Sequence, residues 1–369
     1  MQNVKINSYQ FLVLVIFFTI GTSILTVPSA LATYSKQDAW IAAIIGTGIG
    51  LLIVWLYAKI GLWFPKLTFV QMNEMLFGKW IGNILSFLFI FMTLLFSAIL
   101  LYYSGSFLTI HVMPNTPMVA TNILMAIILV MAVRLGLETI ARSAEILISI
   151  FFLLFIILVI FIAPEIEFEN IQPVFDTDIK SIAQSSLSLI VVSSVNAVSL
   201  LMIFPAFINE PQSAKNSFLF GNLIGGFIMI ILTFLCILVL GVDLTARQEF
   251  PGYGLAKMIN IGNFINRIEA LMAALWIICL YYKMVLYFYA SVYGLAQVLN
   301  LKDYRPLTYP FGMIAIVLSL VIFPNVMEQQ KFDATISKYF SITIGILLPL
   351  LMVIVYGIRK KWKKSPNHS

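Results

Sequence analysis

Residues 9–33 read YQFLVLVIFFTIGTSILTVPSALAT, and this stretch decides the fold. It can cross a membrane as a helix, because a span needs about 20 largely apolar residues. Its middle contains Gly21, Thr22, Ser23 and Pro28, which loosen helical hydrogen bonding or compete with it. The stretch therefore predicts a membrane helix that is interrupted near its centre.

A second apolar run, 182–207, carries the same kind of interruption. It contains Ser193-Ser194-Val195-Asn196-Ala197-Val198-Ser199 and then Pro205, which lies 177 residues after Pro28. Two interrupted segments at corresponding positions of two halves are typical of transporters built from inverted repeats. The alternative, that both runs are only proline-kinked structural helices, stays open at this point.

The composition places the whole chain in a membrane. Of the 369 residues, 61% are hydrophobic and 10% are charged, and the mean hydropathy is +1.00. A soluble domain is about 45–50% apolar and about 25% charged. The composition excludes a nucleic-acid binder, a soluble enzyme and a disulfide-rich secreted domain. Cys236 and Cys279 lie in apolar runs, and no motif indicates a nucleophile–base pair, a cofactor or a metal site, so we expect a protein that is not an enzyme.

Apolar runs long enough to span a bilayer occur ten times. They lie near 9–33, 39–63, 81–109, 118–135, 144–163, 182–207, 215–242, 264–297, 309–324 and 337–358. We therefore predict an all-α, polytopic membrane protein with ten transmembrane helices in a 5+5 inverted-repeat transporter fold, with helices 1 and 6 interrupted.

The chain is expected to be one transmembrane domain. The first repeat covers about 9–163, the second about 182–358, and a basic tail occupies 359–369. Fourteen Lys and Arg residues fall on the side of the termini and seven on the other. Because basic residues are retained on the cytoplasmic side, we expect both termini in the cytoplasm. We expect the first run to be kept as a span, although Ala30-Leu31-Ala32 resembles a signal-peptidase site.

The two interruptions predict a binding pocket. Lipid tolerates unpaired backbone groups only where protein or a water-filled cavity receives them. Free N–H groups at the start of a half-helix suit a carboxylate, and freed carbonyls suit an ammonium group or a cation. A small solute with both charges, such as an amino acid, fits such a pair of breaks. The predicted ligand-binding residues are Gly21, Thr22, Ser23, Ile24, Leu25, Tyr102, Ser193, Ser194, Asn196 and Ser199.

Lys283 is a basic residue at the centre of the eighth run. Such a residue costs about 2.5–3.5 kcal/mol on insertion scales, so it normally faces a cavity or a partner. Our hypothesis is that its ammonium replaces a coupling cation and bonds freed carbonyls near Gly21 and Thr22, with Tyr287 one turn away as a partner. A lysine that snorkels to the inner interface is the alternative. Tyr102 and Tyr103 lie in the outer half of the third run, and one of them is expected to cap the pocket as an outer gate. The alternative is that both belong to the interfacial aromatic belt.

Two charged clusters lie near helix ends. Arg134 and Glu138 are four residues apart, which permits an exposed ion pair. Glu138 and Arg142, and likewise Arg267 and Glu269, are candidates for a gate or a subunit contact. A merely solvated loop or a structural pair remains the alternative for each cluster.

Several short motifs succeed one another along the chain. They are Gly21-x-x-x-Leu25-x-x-Pro28, Phe77-Gly78-Lys79-Trp80-Ile81-Gly82, Gly136-Leu137-Glu138-x-x-x-Arg142, and Arg267-x-Glu269 with Trp276-Ile277. In order and spacing the set resembles the B-subunit permease family of spore germination receptors, a branch of the amino acid–polyamine–organocation superfamily.

That resemblance implies a function which composition and periodicity do not give. It implies a transporter-like subunit that senses nutrients in the spore inner membrane, together with an A subunit and a lipoprotein C subunit. An active, proton-coupled amino-acid permease uses the same pocket and is the alternative. Two positions depart from relatives: Ser199 stands near a Glu of some members, and Gln172 replaces an Arg before Pro173. The identity of the ligand therefore cannot be borrowed from them.

Overall fold

The computed structural model describes residues 5–259 and 269–364, and side chains as far as residue 360. Within these ranges the regular structure is helical, apart from an isolated parallel bridge between Ile6 and Ile208. Eight helices are long and apolar enough to cross a membrane, and two shorter apolar helices, Ser8–Ile20 and Arg305–Val321, accompany them. The long helix Ser23–Trp63 contains the second half of one pass and the whole of the next.

The described residues thus make ten passes, which we number spans 1 to 10. In chain order they are Ser8–Ile20 with Ser23–Ser35, Ala39–Trp63, Lys79–Phe107, Met118–Leu135, Leu137–Ile162, Ile179–Leu189 with the turns Ile190–Val195 and Asn196–Met202, Pro211–Arg247, Glu269–Val298, Thr308–Val321, and Ile336–Ile342 with Thr343–Leu347 and Leu348–Lys364. Only the start of the eighth predicted run, 264–268, lies outside the described residues.

Among the described residues, three short α-helices lie between the passes and distinguish the two ends of the bundle. Phe69–Phe77 lies on the side where span 1 begins and span 10 ends, which we call the termini side. Pro251–Lys257 and Val326–Ala334 lie on the opposite side, which we call the distal side. Because the number of passes is even, Ser8 at the start of span 1 and Lys364 at the end of span 10 share one side.

Span 1 starts at a well-formed cap. The Asn7 side chain accepts a 2.7 Å hydrogen bond from the Gln10 main-chain N–H, and the Gln10 side chain accepts one of 3.0 Å from the Asn7 N–H. This reciprocal pair satisfies two N–H groups that the first helical turn leaves free. Just before it, the Ile6 N–H donates to the Phe207 carbonyl over 2.8 Å. The entry of span 1 is therefore fixed to the segment that comes after span 6.

Glycines allow each interrupted span to pack closely against a neighbour from the other half. A Cβ atom at Gly225 in span 7 would meet the side chain of Thr19 in span 1. A Cβ atom at Gly50 in span 2 would overlap the side chain of Ser194 in span 6. Small residues of this kind let membrane helices approach each other. The core therefore forms where spans 1, 2, 6 and 7 meet, and the two interruptions lie beside each other within it.

Candidate functional site

The break in span 1 consists of two residues. The helix Ser8–Ile20 ends there, and Ser23–Ser35 begins after Gly21 and Thr22. Gly21 has φ +29°, a backbone conformation that residues with a Cβ rarely adopt, and a Cβ atom at this position would overlap the side chain of Lys283. Glycine is therefore required twice, by the turn and by the lysine that crosses it.

The break in span 6 is longer. Its helix ends at Leu189 and continues as a wide turn over Ile190–Val195 and a tight turn over Asn196–Met202. The Ser193 hydroxyl donates to the Leu189 carbonyl over 2.6 Å, and the Ser199 hydroxyl donates to the Asn196 carbonyl over 2.9 Å. Both hydroxyls support the irregular backbone locally, as serine does where it competes with helical bonding.

A buried polar bridge joins the two interrupted spans. Asn222 of span 7 donates to the Thr19 hydroxyl over 3.2 Å, and its side-chain oxygen accepts from the Ser194 hydroxyl over 3.3 Å. Thr19 precedes the break in span 1, and Ser194 lies in the break in span 6. The sequence reasoning missed Asn222, although an amide side chain inside the apolar run of span 7 was a usable signal.

A cavity of about 490 Å³ begins at the two breaks and continues to the distal surface. Spans 1, 3, 6, 8 and 10 surround it, and the short helix Val326–Ala334 lies at its mouth. Thr33, Tyr34 and Gln330 line the mouth and are exposed, so the cavity opens on the distal side. At the inner end lie Thr22, Phe96, Val192, Asn196, Lys283 and Tyr287.

Lys283 is buried at the inner end of the cavity. Its ammonium donates a 2.8 Å hydrogen bond to the Val192 carbonyl and lies 5.2 Å from the centre of the Phe18 ring. The sequence hypothesis placed this bond near Gly21 and Thr22, which is wrong for the ammonium group. The aliphatic part of the side chain packs on Gly21, but the charged end reaches the carbonyl released by the break in span 6.

The charge of Lys283 has no counter-ion in the described part of the chain, where the single ion pair joins Arg142 and Glu138. One N–H of the ammonium is used by Val192, and a lysine has three. Nearby, the side-chain oxygen of Asn196 is buried without a hydrogen-bond partner. The inner end of the cavity thus offers a cationic donor and an unused acceptor.

The predicted ligand residues divide into two groups. Thr22 and Asn196 line the cavity together with Lys283 and Tyr287. The others are buried outside its lining. These are Gly21, Ser23, Ile24, Leu25, Tyr102, Ser193, Ser194 and Ser199.

At the third span, the cavity is lined by Tyr103 rather than by Tyr102. The Tyr102 ring packs edge-on against Phe323, with ring centres 5.1 Å apart. The Tyr103 hydroxyl donates a hydrogen bond to the Asp333 carboxylate at the cavity mouth. The sequence named both tyrosines but did not indicate which one faces inward, because its acidic partner lies 230 residues away.

The mouth of the cavity carries charges of both signs. Asp333 and Glu249 contribute carboxylates, and burial raises the pKa of Glu249 above its ordinary value. Lys338 donates to the Ser188 hydroxyl over 3.1 Å, and Arg247 also lines the mouth. The mouth therefore offers groups complementary to both charges of a zwitterionic solute.

Aromatic side chains close the cavity towards the termini side. Phe17 stacks on Tyr282 with ring centres 4.6 Å apart, and the Tyr282 hydroxyl donates to the Ser143 hydroxyl over 3.0 Å. Phe18 packs edge-on against Tyr287 at 5.1 Å. The structure is therefore open on the distal side and sealed on the other.

The charged cluster on the termini side is arranged differently from the prediction. Arg142 pairs with Glu138 at 2.6 Å on an exposed surface. Arg134 does not pair with Glu138, because the helix ends at Leu135 and Gly136, with φ +99°, separates the two residues. Arg134 instead donates to the Arg305 carbonyl. Of the distal pair, Glu269 starts span 8, and Arg267 lies outside the described residues.

Comparison with known proteins gives similarity over the whole chain. The spore permease family, described as "Spore germination protein", matches residues 5–327. Spore germination protein KB of Bacillus subtilis (strain 168) is 30% identical over 369 residues, with 99% of this chain and 98% of that protein covered. Spore germination protein YndE of the same organism is 23% identical, with 98% of each chain covered.

Two solved transporters share the fold at low sequence identity. MhsT in complex with L-phenylalanine has a TM-score of 0.68 at 14% identity, with 94% of this chain and 97% of that chain covered. Mhp1, a nucleobase-cation-symport-1 family transporter solved with bromovinylhydantoin bound, has a TM-score of 0.69 at 11% identity, with 95% and 78% covered. The predicted all-α inverted-repeat transporter fold is confirmed.

Proposed function

The chain belongs to the spore permease family of spore germination proteins, and from this premise we propose that it is the nutrient-sensing membrane subunit of a germination receptor. In this proposal an amino acid or a similar small solute enters the cavity from the distal side. Its binding at the two breaks changes the arrangement of spans 1 and 6, and partner subunits detect that change.

One observation carries the proposal: an uncompensated buried cation and an unused buried acceptor lie at the closed end of one cavity. Lys283 has no carboxylate partner among the described residues, and the Asn196 side-chain oxygen accepts no hydrogen bond there. Buried polar groups of both kinds cost free energy until they are paired. A solute carboxylate and a solute ammonium would satisfy one each. An amino acid is the smallest solute that brings both.

We further propose that Lys283 takes the place of a coupling cation. Its ammonium already bonds a main-chain carbonyl at the break in span 6, which is what a bound cation would do. A fixed charge of this kind makes a separate cation unnecessary for holding the two breaks together. It also leaves further N–H groups for a solute, so the two roles are compatible.

We also propose the setting that the family relationship implies. The termini face the cytoplasm, the cavity opens away from it, and the membrane is the spore inner membrane. Germination receptor A and C subunits are the proposed partners. The excess of basic residues on the termini side supports this orientation.

The second candidate is an active proton-coupled amino-acid permease. The likeness to solved structures favours it, because Mhp1, which shares the fold, is a nucleobase-cation-symport-1 family transporter and MhsT was solved with an amino acid bound. Sensor and permease share the binding step and differ in the step after it. A sensor needs no route out of the sealed end, whereas a permease must open it.

Flux and spore response together separate these candidates. Purified protein in liposomes is tested for uptake of labelled amino acids, and spores with Asn196→Leu are tested for germination against single amino acids. Ser291→Ala is the matched control, since Ser291 is buried in span 8, outside the lining of the cavity. No uptake, with nutrient dependence altered only in Asn196→Leu, supports the sensor. Sustained uptake by the protein alone supports the permease.

A further inference from the structure

A second concave site lies on the outside of the bundle, between spans 4 and 9. This groove, which we call the 4–9 groove, has a volume of about 450 Å³. Its lining is apolar except at one end, where Arg134 and Tyr309 stand on the termini side. The residues that line it are Ala126, Ile127, Val130, Met131, Arg134, Leu135, Tyr309, Gly312, Met313 and Ile316.

Spans 4 and 9 contact each other in the middle of the groove, and hydrogen bonds lie near both of its ends. Span 9 approaches span 4 closely at Gly312, where a Cβ atom would overlap the Val130 side chain. Both residues line the groove. Towards the distal side, Asn122 donates to the Ser319 hydroxyl over 2.9 Å. On the termini side, Arg134 donates to the Arg305 carbonyl over 3.2 Å. Contacts at three levels therefore fix the position of span 4 relative to span 9 and its preceding turn.

The guanidinium of Arg134 is the polar feature of the groove. Its Nη1 makes both of its hydrogen bonds, to the Arg305 carbonyl and to the Thr308 hydroxyl at 3.5 Å. Its Cζ lies 4.3 Å from the centre of the Tyr309 ring, which orients the guanidinium plane. Within residues 5–259 and 269–364 no carboxylate pairs with it. The Nε and Nη2 donors are therefore available to an anion. An anion there would also pair with the positive charge of the guanidinium.

From these observations the geometry points to a site for one anionic phospholipid, with its phosphate on Arg134 and one acyl chain in the 4–9 groove. Arginine binds phosphate oxygens through paired N–H groups. The lining residues on span 4, 126–135, cover about 15 Å of helix, which equals half of a hydrocarbon core of about 30 Å. An acyl chain of one leaflet has that reach.

The groove is narrower than a helix of a partner protein and suits a more slender occupant. A volume of about 450 Å³ over about 15 Å corresponds to a cross-section of about 30 Å². A helix with a diameter of about 10 Å needs about 80 Å². A single hydrocarbon chain is slender enough to enter, and Met131 and Met313 along the walls are half or more exposed and adaptable. This inference does not depend on the proposed function.

Lipid retention tests the site directly. Wild-type protein, Arg134→Gln and Arg142→Gln are exchanged into equal mixtures of phosphatidylglycerol and phosphatidylcholine, and the lipids that remain bound are counted by native mass spectrometry. Arg142 is the matched control because it lies on the same side but outside the groove. We expect wild type and Arg142→Gln each to retain one phosphatidylglycerol. The occupancy of phosphatidylglycerol in Arg134→Gln should be about tenfold lower than in wild type.

A second variant protects the test against misfolding. Met131→Trp fills the groove while leaving the arginine in place, and it should reduce retention as Arg134→Gln does. Melting temperatures in phosphatidylcholine alone report whether each variant is folded. Equal retention by wild type and Arg134→Gln would overturn the site. Equal losses in Arg134→Gln and Arg142→Gln would also overturn it, because they would indicate diffuse attraction to the surface. A photo-crosslinker at Met313 that captures protein rather than lipid would do the same.

Discussion

The ammonium of Lys283 donates a 2.8 Å hydrogen bond to the main-chain carbonyl of Val192. Its side chain crosses span 1 at Gly21 and ends at the break in span 6. One residue of span 8 therefore contacts both interrupted helices at the closed end of the cavity. Any solute that binds there must either share this ammonium or displace it.

Replacing Lys283 tests that relationship. We expect Lys283→Met to weaken binding of the cognate amino acid about ten- to hundredfold, because a hydrogen bond to a charged group contributes about 1.5–3 kcal/mol. The measurement is equilibrium binding of labelled amino acids to purified protein. Ser291→Ala, in the same span, should bind like wild type. An unchanged Kd in Lys283→Met would show that the lysine takes no part in binding.

Gly21 should be intolerant of any side chain. Gly21→Ala places a Cβ atom at a positive φ and against the lysine stem, so we expect a loss of about 1–3 kcal/mol in the free energy of unfolding. Gly48→Ala is the control, because Gly48 is helical and faces open space. It should be neutral or slightly stabilising. The readout is thermal unfolding in detergent.

The destabilisation by Gly21→Ala has two sources, the overlap with the Lys283 side chain and the strained backbone, and a double variant separates them. Adding Lys283→Ala to Gly21→Ala removes the overlapping atoms but not the strained φ. We expect the double variant to recover part of the loss, since residues in contact do not behave additively. Strict additivity of the two single variants would contradict the contact between them.

Replacing Asn222 should lower the free energy of unfolding more than replacing Thr233, a buried polar residue of the same span. Asn222→Leu removes the bridge between Thr19 and Ser194, and we expect a loss of about 1 kcal/mol, as is typical of hydrogen bonds between membrane helices. Thr233→Val, in the same span, removes a bond to its own helix at Met229 and should cost less. Thermal unfolding measures both, and a larger loss in Thr233→Val would count against the bridge.

Glu249 predicts a pH dependence of stability. Burial raises its pKa in the folded protein above the value in the unfolded chain. Its contribution to stability is therefore present at low pH and is lost as pH rises through the raised pKa. Glu249→Gln should be more stable than wild type at neutral pH, with a difference that shrinks under acidic conditions.

The control for this titration is Glu169→Gln, at an exposed position on the same side of the bundle. Because the Glu169 side chain is exposed, this substitution should leave the melting temperature close to that of wild type. Melting temperatures are compared across the acidic to neutral range in one detergent. A difference between Glu249→Gln and wild type that grows as the pH falls has the wrong sign for a buried carboxylate and would refute the assignment.

Much of the fold was accessible from the sequence. Hydropathy alone placed the ten passes, with predicted ends that differ by up to seven residues from the described helix ends, because lipid requires long apolar helices. The interruption near Gly21 was visible because glycine, hydroxyl residues and proline stand together in an apolar run. The exact form of the longer break in span 6 could not be predicted. Its turns depend on hydrogen bonds such as the one that the Ser193 hydroxyl donates to the Leu189 carbonyl.

The candidate site was only partly accessible. Lys283 was singled out because a charge in an apolar run is costly, and Asn196 because it stands within the second break. Which carbonyl receives the ammonium, and whether Tyr102 or Tyr103 faces the cavity, depends on helix rotation. Rotation is set by packing between halves of the chain, as at Gly50 and Ser194, and no local pattern encodes it.

The most direct test of the solute cavity is cysteine protection at Asn196. Asn196→Cys is made after Cys236 and Cys279, both buried, are replaced by alanine, and is labelled with a membrane-impermeant thiol reagent from the distal side. Ser291→Cys is the control and should not react. We predict labelling of Asn196→Cys that is blocked by the amino acid to which the spores respond. Labelling that no solute affects, or no labelling at all, would contradict a solute cavity at this position.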